Sequence, residues 1–212
     1  MRGNLRLSGG TRLLSPKGKG TRPTSSRVRE AVMNILGSKL DRCSWLDLFS
    51  GSGIVSCEAI QRGAKQITAV EKDRQTARIC TENIGKIISN QEGKIEFQVI
   101  KKEVLLWLES EGSKTKSLTK GKKGSSFDLV YIDPPYITNL YNHVLNKLLS
   151  GKFLRKDSIV ICEYSSKFAL NKPDNWTELD RRSYGSSSIL LVSPPESLRV
   201  DTDSKLQQRD QE

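Results

Sequence analysis

Histidine occurs once in this chain of 212 residues, cysteine four times, and aromatic side chains make up only 6%. Each scarcity excludes a chemistry. The lone His143 lies in an apolar helical pattern with no Ser or Cys partner nearby, which argues against a Ser/His/Asp triad. Cys43, Cys57, Cys80 and Cys162 are widely spaced, with no C-x-x-C pair. Zinc and redox motifs need ligands a few residues apart, so reduced, mostly buried thiols are expected, and no bound metal. No apolar run approaches the roughly 18 residues that span a bilayer. The N-terminus is basic and glycine-rich but lacks the apolar core of a signal peptide, which points to a cytoplasmic location. Hydrophobic residues, at 35%, are few for a compact domain. Part of the chain is therefore expected to be solvated loop or tail.

Acid is also missing from one end. Residues 1–29 hold eight Arg or Lys and no Asp or Glu, and residues 110–126 hold five lysines against Glu111. These two stretches account for +8 and +4 of the formal net charge of +11, leaving the rest of the chain at −1. A nearly neutral body with two basic appendages suits a polyanionic partner, because each cation that neutralises a phosphate releases a counterion. A merely solubilising surface would spread its charge. Nucleic acid is the expected partner.

What is present is an alternation. Residues 4–14 read as two short strands about Gly9-Gly10, and SPKGKGTRPT reads as a loop. Helical spacing of Val28, Ala31, Val32, Ile35 and Leu36 predicts a helix from Ser25, capped by Thr24, Ser25 or Ser26 and ended by Gly37. From Ser44 the chain repeats. WLDLF, KQITAVEKD, IEFQVI, FDLVYI and SIVICEY read as strands, with helices between them over IVSCEAIQRG, 74–88, VLLWLES and 138–150. WTELDRRSYGSSSILLVS reads as a closing strand pair turning at Tyr184-Gly185. Such alternation predicts a parallel sheet with helices on both faces, its ligand-bearing loops at the carboxyl ends of the strands. Residues 110–126, low in complexity and rich in Ser, Lys and Gly, are expected to be a disordered insert. The polar tail 196–212 is expected to be flexible.

Three motifs carry chemistry. In Asp47-Leu-Phe-Ser-Gly-Ser-Gly53, Gly51 and Gly53 let the backbone turn sharply and approach a ligand. Ser56 stands where a dinucleotide fingerprint requires its third glycine, which argues against NAD and FAD. Glu71 ends the second of these strands, where an acid can accept hydrogen bonds from both hydroxyls of a ribose. Asp133-Pro134-Pro135-Tyr136 directly follows the apolar strand LVYI. The Asp133 carboxylate and the Pro134 carbonyl can accept both hydrogens of an –NH2 group, turning its lone pair towards an electrophile. Tyr136 offers a flat face on which a base stacks.

Together FSGSG, Glu71 and DPPY resemble the Rossmann-like amino-methyltransferases. GTRPTSSRVREAVMNIL is similar to the start of the RsmD-type 16S ribosomal RNA guanine-N2 methyltransferases of bacteria, and the resemblance runs over roughly residues 4–193. It implies an α/β, Rossmann-like class I methyltransferase fold: a seven-stranded, mostly parallel sheet with its last strand antiparallel, helices on both faces, and a small N-terminal β-hairpin/helix extension. The implied organisation is a basic hairpin and helix over 1–38 and a methyltransferase domain over 39–195. It implies S-adenosylmethionine held by Asp47, Phe49, Gly51, Ser52, Gly53, Glu71, Lys72, Glu103 and Asp133. The base would be gripped by Asp133, Pro134, Pro135 and Tyr136, with Arg2, Arg6, Arg12, Arg22, Thr24 and Arg27 towards the RNA or the mouth of the cleft. The implied partner is 16S ribosomal RNA, either naked or within a small-subunit particle, and a monomer is expected. Ser25 and Ser26 depart from the family, which commonly has an acid after the RPT threonine.

Rival readings differ in substrate or in class. A DNA adenine or cytosine amino-methyltransferase usually carries a substantial target-recognition region, and the appendages here are short. Protein glutamine methyltransferases generally have Asn where Asp133 stands. A non-catalytic RNA-binding assembly factor would not need FSGSG, Glu71 and DPPY intact. The lysine-rich insert is expected to compensate for the thinner charge of the hairpin near Arg12. Removing it should flatten the dependence of RNA affinity on salt, and an unchanged salt slope would count against that role.

Overall fold

The computed structural model describes residues 5–16, 24–117, 126–135 and 140–198, with 113–117 described in backbone only. Strands β1 (Leu5–Arg6) and β2 (Arg12–Leu13) pair antiparallel around a turn in which Gly10 has φ +84°. Helix α1 (Ser26–Leu36) starts where the Ser25 hydroxyl accepts a hydrogen bond from the Val28 amide, and ends at Gly37 with φ +51°. Ser25 is thus a helix cap. It does the work that a short acidic side chain would do at that place.

The domain alternates as the pattern predicts: β3 (Ser44–Leu48), α2 (Ile54–Gln61), β4 (Gln66–Glu71), α3 (Arg74–Ile88), β5 (Glu96–Lys101), α4 (Val104–Ser117), β6 (Phe127–Ile132), α5 (Leu140–Ser150), β7 (Leu154–Ser165), β8 (Thr177–Tyr184) and β9 (Ser187–Ser193). The seven-stranded sheet has the order β5-β4-β3-β6-β7-β9-β8. Pairing is parallel from β5 to β7, and β9 runs antiparallel to both of its neighbours. Side chains alternate across this sheet with period two. Trp45, Tyr131 and Ile161 pack with α1, α2 and α3 on one face. Leu46, Leu48, Val130, Ile132 and Val160 pack with α4 and α5 on the other. The chain leaves β3 towards β4 and later returns to β3's other edge as β6, so a crevice opens between their carboxyl ends.

Two expectations change. The insert expected to be disordered over 110–126 is helical as far as Ser117, because α4 continues past its apolar stretch. Gly112 allows this: a Cβ there would lie 3.0 Å from the Gly151 Cα, so α4 and the end of α5 approach closely. Lys147 pairs with Glu109 at 2.8 Å and Lys102 reaches Ser110 at 2.8 Å, both against the same stretch of helix. A deletion testing the insert's charge should begin at residue 118; residues 118–125 lie outside the described residues, as does the tail from 199. The second change is β7, which begins at Leu154 instead of Ser158. Among the described residues no helix is long and apolar enough to cross a membrane.

The hairpin is fastened to the domain by buried charge. Arg29 and Glu58 are 3% and 2% exposed, and the Arg29 Nε lies 3.3 Å from the Glu58 Oε1. Arg29 also donates to the carbonyls of Thr24 (2.6 Å) and Arg6 (2.7 Å). The same Glu58 oxygen accepts from the amide and the hydroxyl of Ser8. Removing one partner strands the other without water, at a cost of about 3–5 kcal/mol. Glu58→Ala should therefore lower the unfolding free energy by about that amount, while joint replacement of Arg29 and Glu58 by apolar residues should cost less than either single change. Denaturant titration checks both, and a near-neutral Glu58→Ala would show that the pair holds nothing.

Candidate active site

The turn after β3 is shaped by backbone geometry. Phe49, Gly51 and Gly53 all have positive φ, at +64°, +52° and +75°. For a bulky residue such as Phe49 that conformation is strained, and strain of this kind collects at ligand-binding turns. The Ser50 amide donates to the Val70 carbonyl at 3.0 Å, tying the turn to β4. A Cβ on Gly53 would lie 2.6 Å from the Cys80 Sγ, so glycine is required there by packing as well as by φ. On Gly51 it would meet nothing closer than the Phe49 carbonyl at 4.0 Å. Gly51 therefore turns an open face to the crevice.

The predicted cofactor residues separate into two groups. Glu71 borders the open face: its Oε2 accepts from the Gly51 amide at 3.0 Å and its Oε1 from the Asp73 amide at 2.8 Å. Each carboxylate oxygen keeps a further acceptor position. Lys72 is exposed beside it, and Glu103 caps α4 by accepting from the Leu106 amide at 2.9 Å. Asp47, by contrast, lies behind the turn. It is 2% exposed and accepts from the Ser56 hydroxyl at 2.5 Å, so its carboxylate braces α2 against the turn. Ser52 is also enclosed, and its carbonyl accepts from the Asn83 side chain at 2.9 Å.

Asp133 follows β6 directly, at the crevice. The Thr24 hydroxyl donates to its Oδ2 at 3.3 Å, so the segment entering α1 is placed against the DPP turn. Desolvation first, then the charge of Glu163, push the Asp133 carboxyl well above the usual carboxylate range; the Thr24 hydrogen bond opposes them and Asp47 adds to them. Pro134 is buried and Pro135 exposed. Tyr136, Arg2 and Arg22 lie outside the described residues. Arg6 and Arg12 sit exposed on the hairpin, and Arg27 lies over the Tyr184 ring at 5.9 Å. All four cysteines are buried and free. Burial pushes the Cys80 thiol up to about 12, which disfavours a nucleophilic thiolate beside the turn at neutral pH. Among the described residues no group of His, Cys, Asp or Glu is placed to hold a metal ion.

A family profile described as conserved hypothetical protein 95 matches residues 5–193. A Buchnera aphidicola relative named ribosomal RNA small subunit methyltransferase D is 30% identical over 156 residues, 74% of this chain and 73% of its own length. The chain belongs to this RsmD family. Its member from Haemophilus influenzae, bearing the same name, is 29% identical over 82% of this chain and 83% of its own. A solved Haemophilus influenzae structure named as a methylase superposes with TM-score 0.69 at 26% identity, covering 92% of this chain and 100% of that one. The Rossmann-like methyltransferase fold is shared with it.

Three residues that the sequence reading did not single out lie around the candidate site. Asn83, 1% exposed, holds both Ser52 of the glycine turn and the backbone of Leu14 in the hairpin, accepting at 2.8 Å and donating at 3.0 Å. Glu163 accepts from the Tyr131 hydroxyl at 2.5 Å. Glu58 and Glu163 do give one signal, an acid inside an otherwise apolar run.

Asp47 supplies a pH test. Burial, more than its weak opposition by Ser56, raises its carboxyl from 3.8 to about 7. The folded chain thus keeps a proton that the unfolded chain releases, and the stability contributed by this group is lost as pH rises from about 4 to about 7, on the order of 4 kcal/mol. Asp47→Asn, which still offers Ser56 an acceptor, should flatten the fall in stability across that window. Identical pH slopes for the two proteins in denaturant titrations would contradict this.

Proposed function

We propose that the chain transfers a methyl group from S-adenosylmethionine to the exocyclic N2 amine of a guanine in 16S ribosomal RNA, as a monomer acting on a small-subunit particle. The observation that carries this reading is the meeting at one crevice of Asp133, braced by Thr24, with the open face of Gly51 bordered by Glu71. The names of the relatives, ribosomal RNA small subunit methyltransferases, support the substrate class.

The residues present fit the cofactor. An uncrowded glycine face leaves room for a ligand to lie against the backbone, and Glu71, with free acceptor positions, suits a pair of ribose hydroxyls. Gly51, Gly53 and Glu71 would hold it, and Glu103 would lie towards its adenine. When bound, it supplies an electrophilic methyl on a sulfonium centre. The chain's own part is positioning. Asp133 and the Pro134 carbonyl take the two hydrogens of the amine, which fixes the lone pair's direction. Tyr136 stacks on the base, drawn from its helix at a cost of a few kcal/mol. Asp133 then opposes the positive charge that develops on nitrogen. The exposed cations of the hairpin, Arg6 and Arg12, would meet phosphate.

Asp133→Ala should abolish methyl transfer, with a loss of S-adenosylmethionine affinity, read by isothermal titration, far smaller than the loss of turnover. Near-normal turnover in that variant would refute the assignment. Undermethylated small subunits, free ribosomal RNA and DNA, offered in parallel with labelled cofactor and digested to nucleosides, decide the substrate. Label in N2-methylguanine from subunits is the expected result, and label in adenine or cytosine would replace it.

A further inference from the structure

The Asp133 site contains a second acid. Ile132, the last residue of β6, pairs in register with Cys162 of parallel β7, so Asp133 leaves the end of β6 beside Glu163 of β7, whose charge acts on it. Glu163 is 5% exposed. Its carboxylate accepts from the Tyr131 hydroxyl at 2.5 Å, and its main-chain carbonyl accepts from the Tyr141 hydroxyl at 2.5 Å. A hydrogen bond that short to a carboxylate favours its ionised form. Two carboxylates sharing a dry site do not both ionise easily, so the proton falls to the one with weaker support. Among the described residues Asp133 has the weaker support, a single 3.3 Å bond from Thr24.

We propose that Glu163 is a positioning residue of the methyl-transfer reaction: its carboxylate, held by Tyr131 alongside Asp133, makes Asp133 the group that takes the proton from the methylated amine. The inference rests on the function proposed above. The nitrogen gains a bond to carbon and loses an N–H bond, whose electron pair stays on nitrogen. The reacting form is the one in which Asp133 is ionised, the form that the acid limb of the rate reports; the proton goes to its carboxylate oxygen, and the electrons of the broken C–S bond stay on sulfur. An ordinary carboxylate is too weak a base to hold that proton at neutral pH; one beside a second buried negative charge is matched to the task. The titratable and charged groups around Asp133 act in the same frame. Asp47 on β3 and Glu163 on β7 add negative charge. Tyr131 on β6 and Tyr141 on α5 are held neutral by burial and by these acids. Arg29 on α1 reaches the carbonyl of Thr24, with its charge balanced by Glu58.

The test pairs infrared titration of the free protein with kinetics. Above the Asp47 midpoint, the parent should keep the carbonyl band of a protonated carboxyl, and Glu163→Gln should lose it. In Glu163→Gln the acid limb of kcat/KM should move down by about one pH unit or more. Its kcat above the limb should fall about tenfold with little change in KM for RNA, and Glu163→Asp should recover part of it. Tyr131→Phe, a milder change should Glu163→Gln fold poorly, should move the limb in the same direction. A band and an acid limb that stay in place in Glu163→Gln, or a simple rise in KM, would overturn the proposal. Absence of methyl transfer to any RNA by the parent would instead sink the proposed function, because the infrared band reports the two acids without substrate.

Discussion

A guanidinium cut off from water has to find its hydrogen-bond acceptors within the protein, and Arg29 finds them on three separate pieces of chain. The carbonyl of Arg6 lies in the hairpin, that of Thr24 in the approach to α1, and the carboxylate of Glu58 in the middle of α2. Satisfying one buried cation therefore folds the N-terminal extension onto the domain. The gain is geometric more than energetic, since a buried ion pair contributes little net stability against an apolar alternative. What it secures is the location of Thr24, and through Thr24 the side of Asp133 that faces the extension. The RVREA stretch, part of the segment on which the resemblance in sequence rests, contains this arginine.

On the sheet's face towards α1, α2 and α3, polar groups gather at the carboxyl ends of the central strands. Asp47 stands opposite Tyr131 in the β3–β6 register, and Asp133 and Glu163 follow one step further along. Asp47, Tyr131 and Asp133 are raised chiefly by loss of water, and the neighbouring acids raise Tyr131 and Asp133 further. A domain selected for stability alone would fill such positions with Val or Ile. The concentration of costly acids beside a strained glycine turn marks where stability has been exchanged for chemistry.

The fold was legible because its signals are local. Strands and helices alternate in hydrophobic period, and Gly51, Gly53, Glu71 and Asp133 each stand at the end of a strand that the pattern places. What stayed hidden depends on contacts between distant parts of the chain. Asn83 meets Leu14 across 69 positions, Glu58 meets Ser8 across 50, and Tyr131 meets Glu163 across 32. Composition misled at 110–117, where Ser, Lys and Gly suggested disorder. The small size of Gly112 is what lets α4 lie close to the end of α5, and a small side chain reads the same in a helix contact as in a flexible loop.

The Asn83 amide grips the glycine turn with one hydrogen and the hairpin with its other hydrogen and its oxygen. Order in the two places is consequently shared. A molecule that quieted the turn would leave less freedom for the hairpin to surrender on meeting a ligand, and linkage would make that favour mutual.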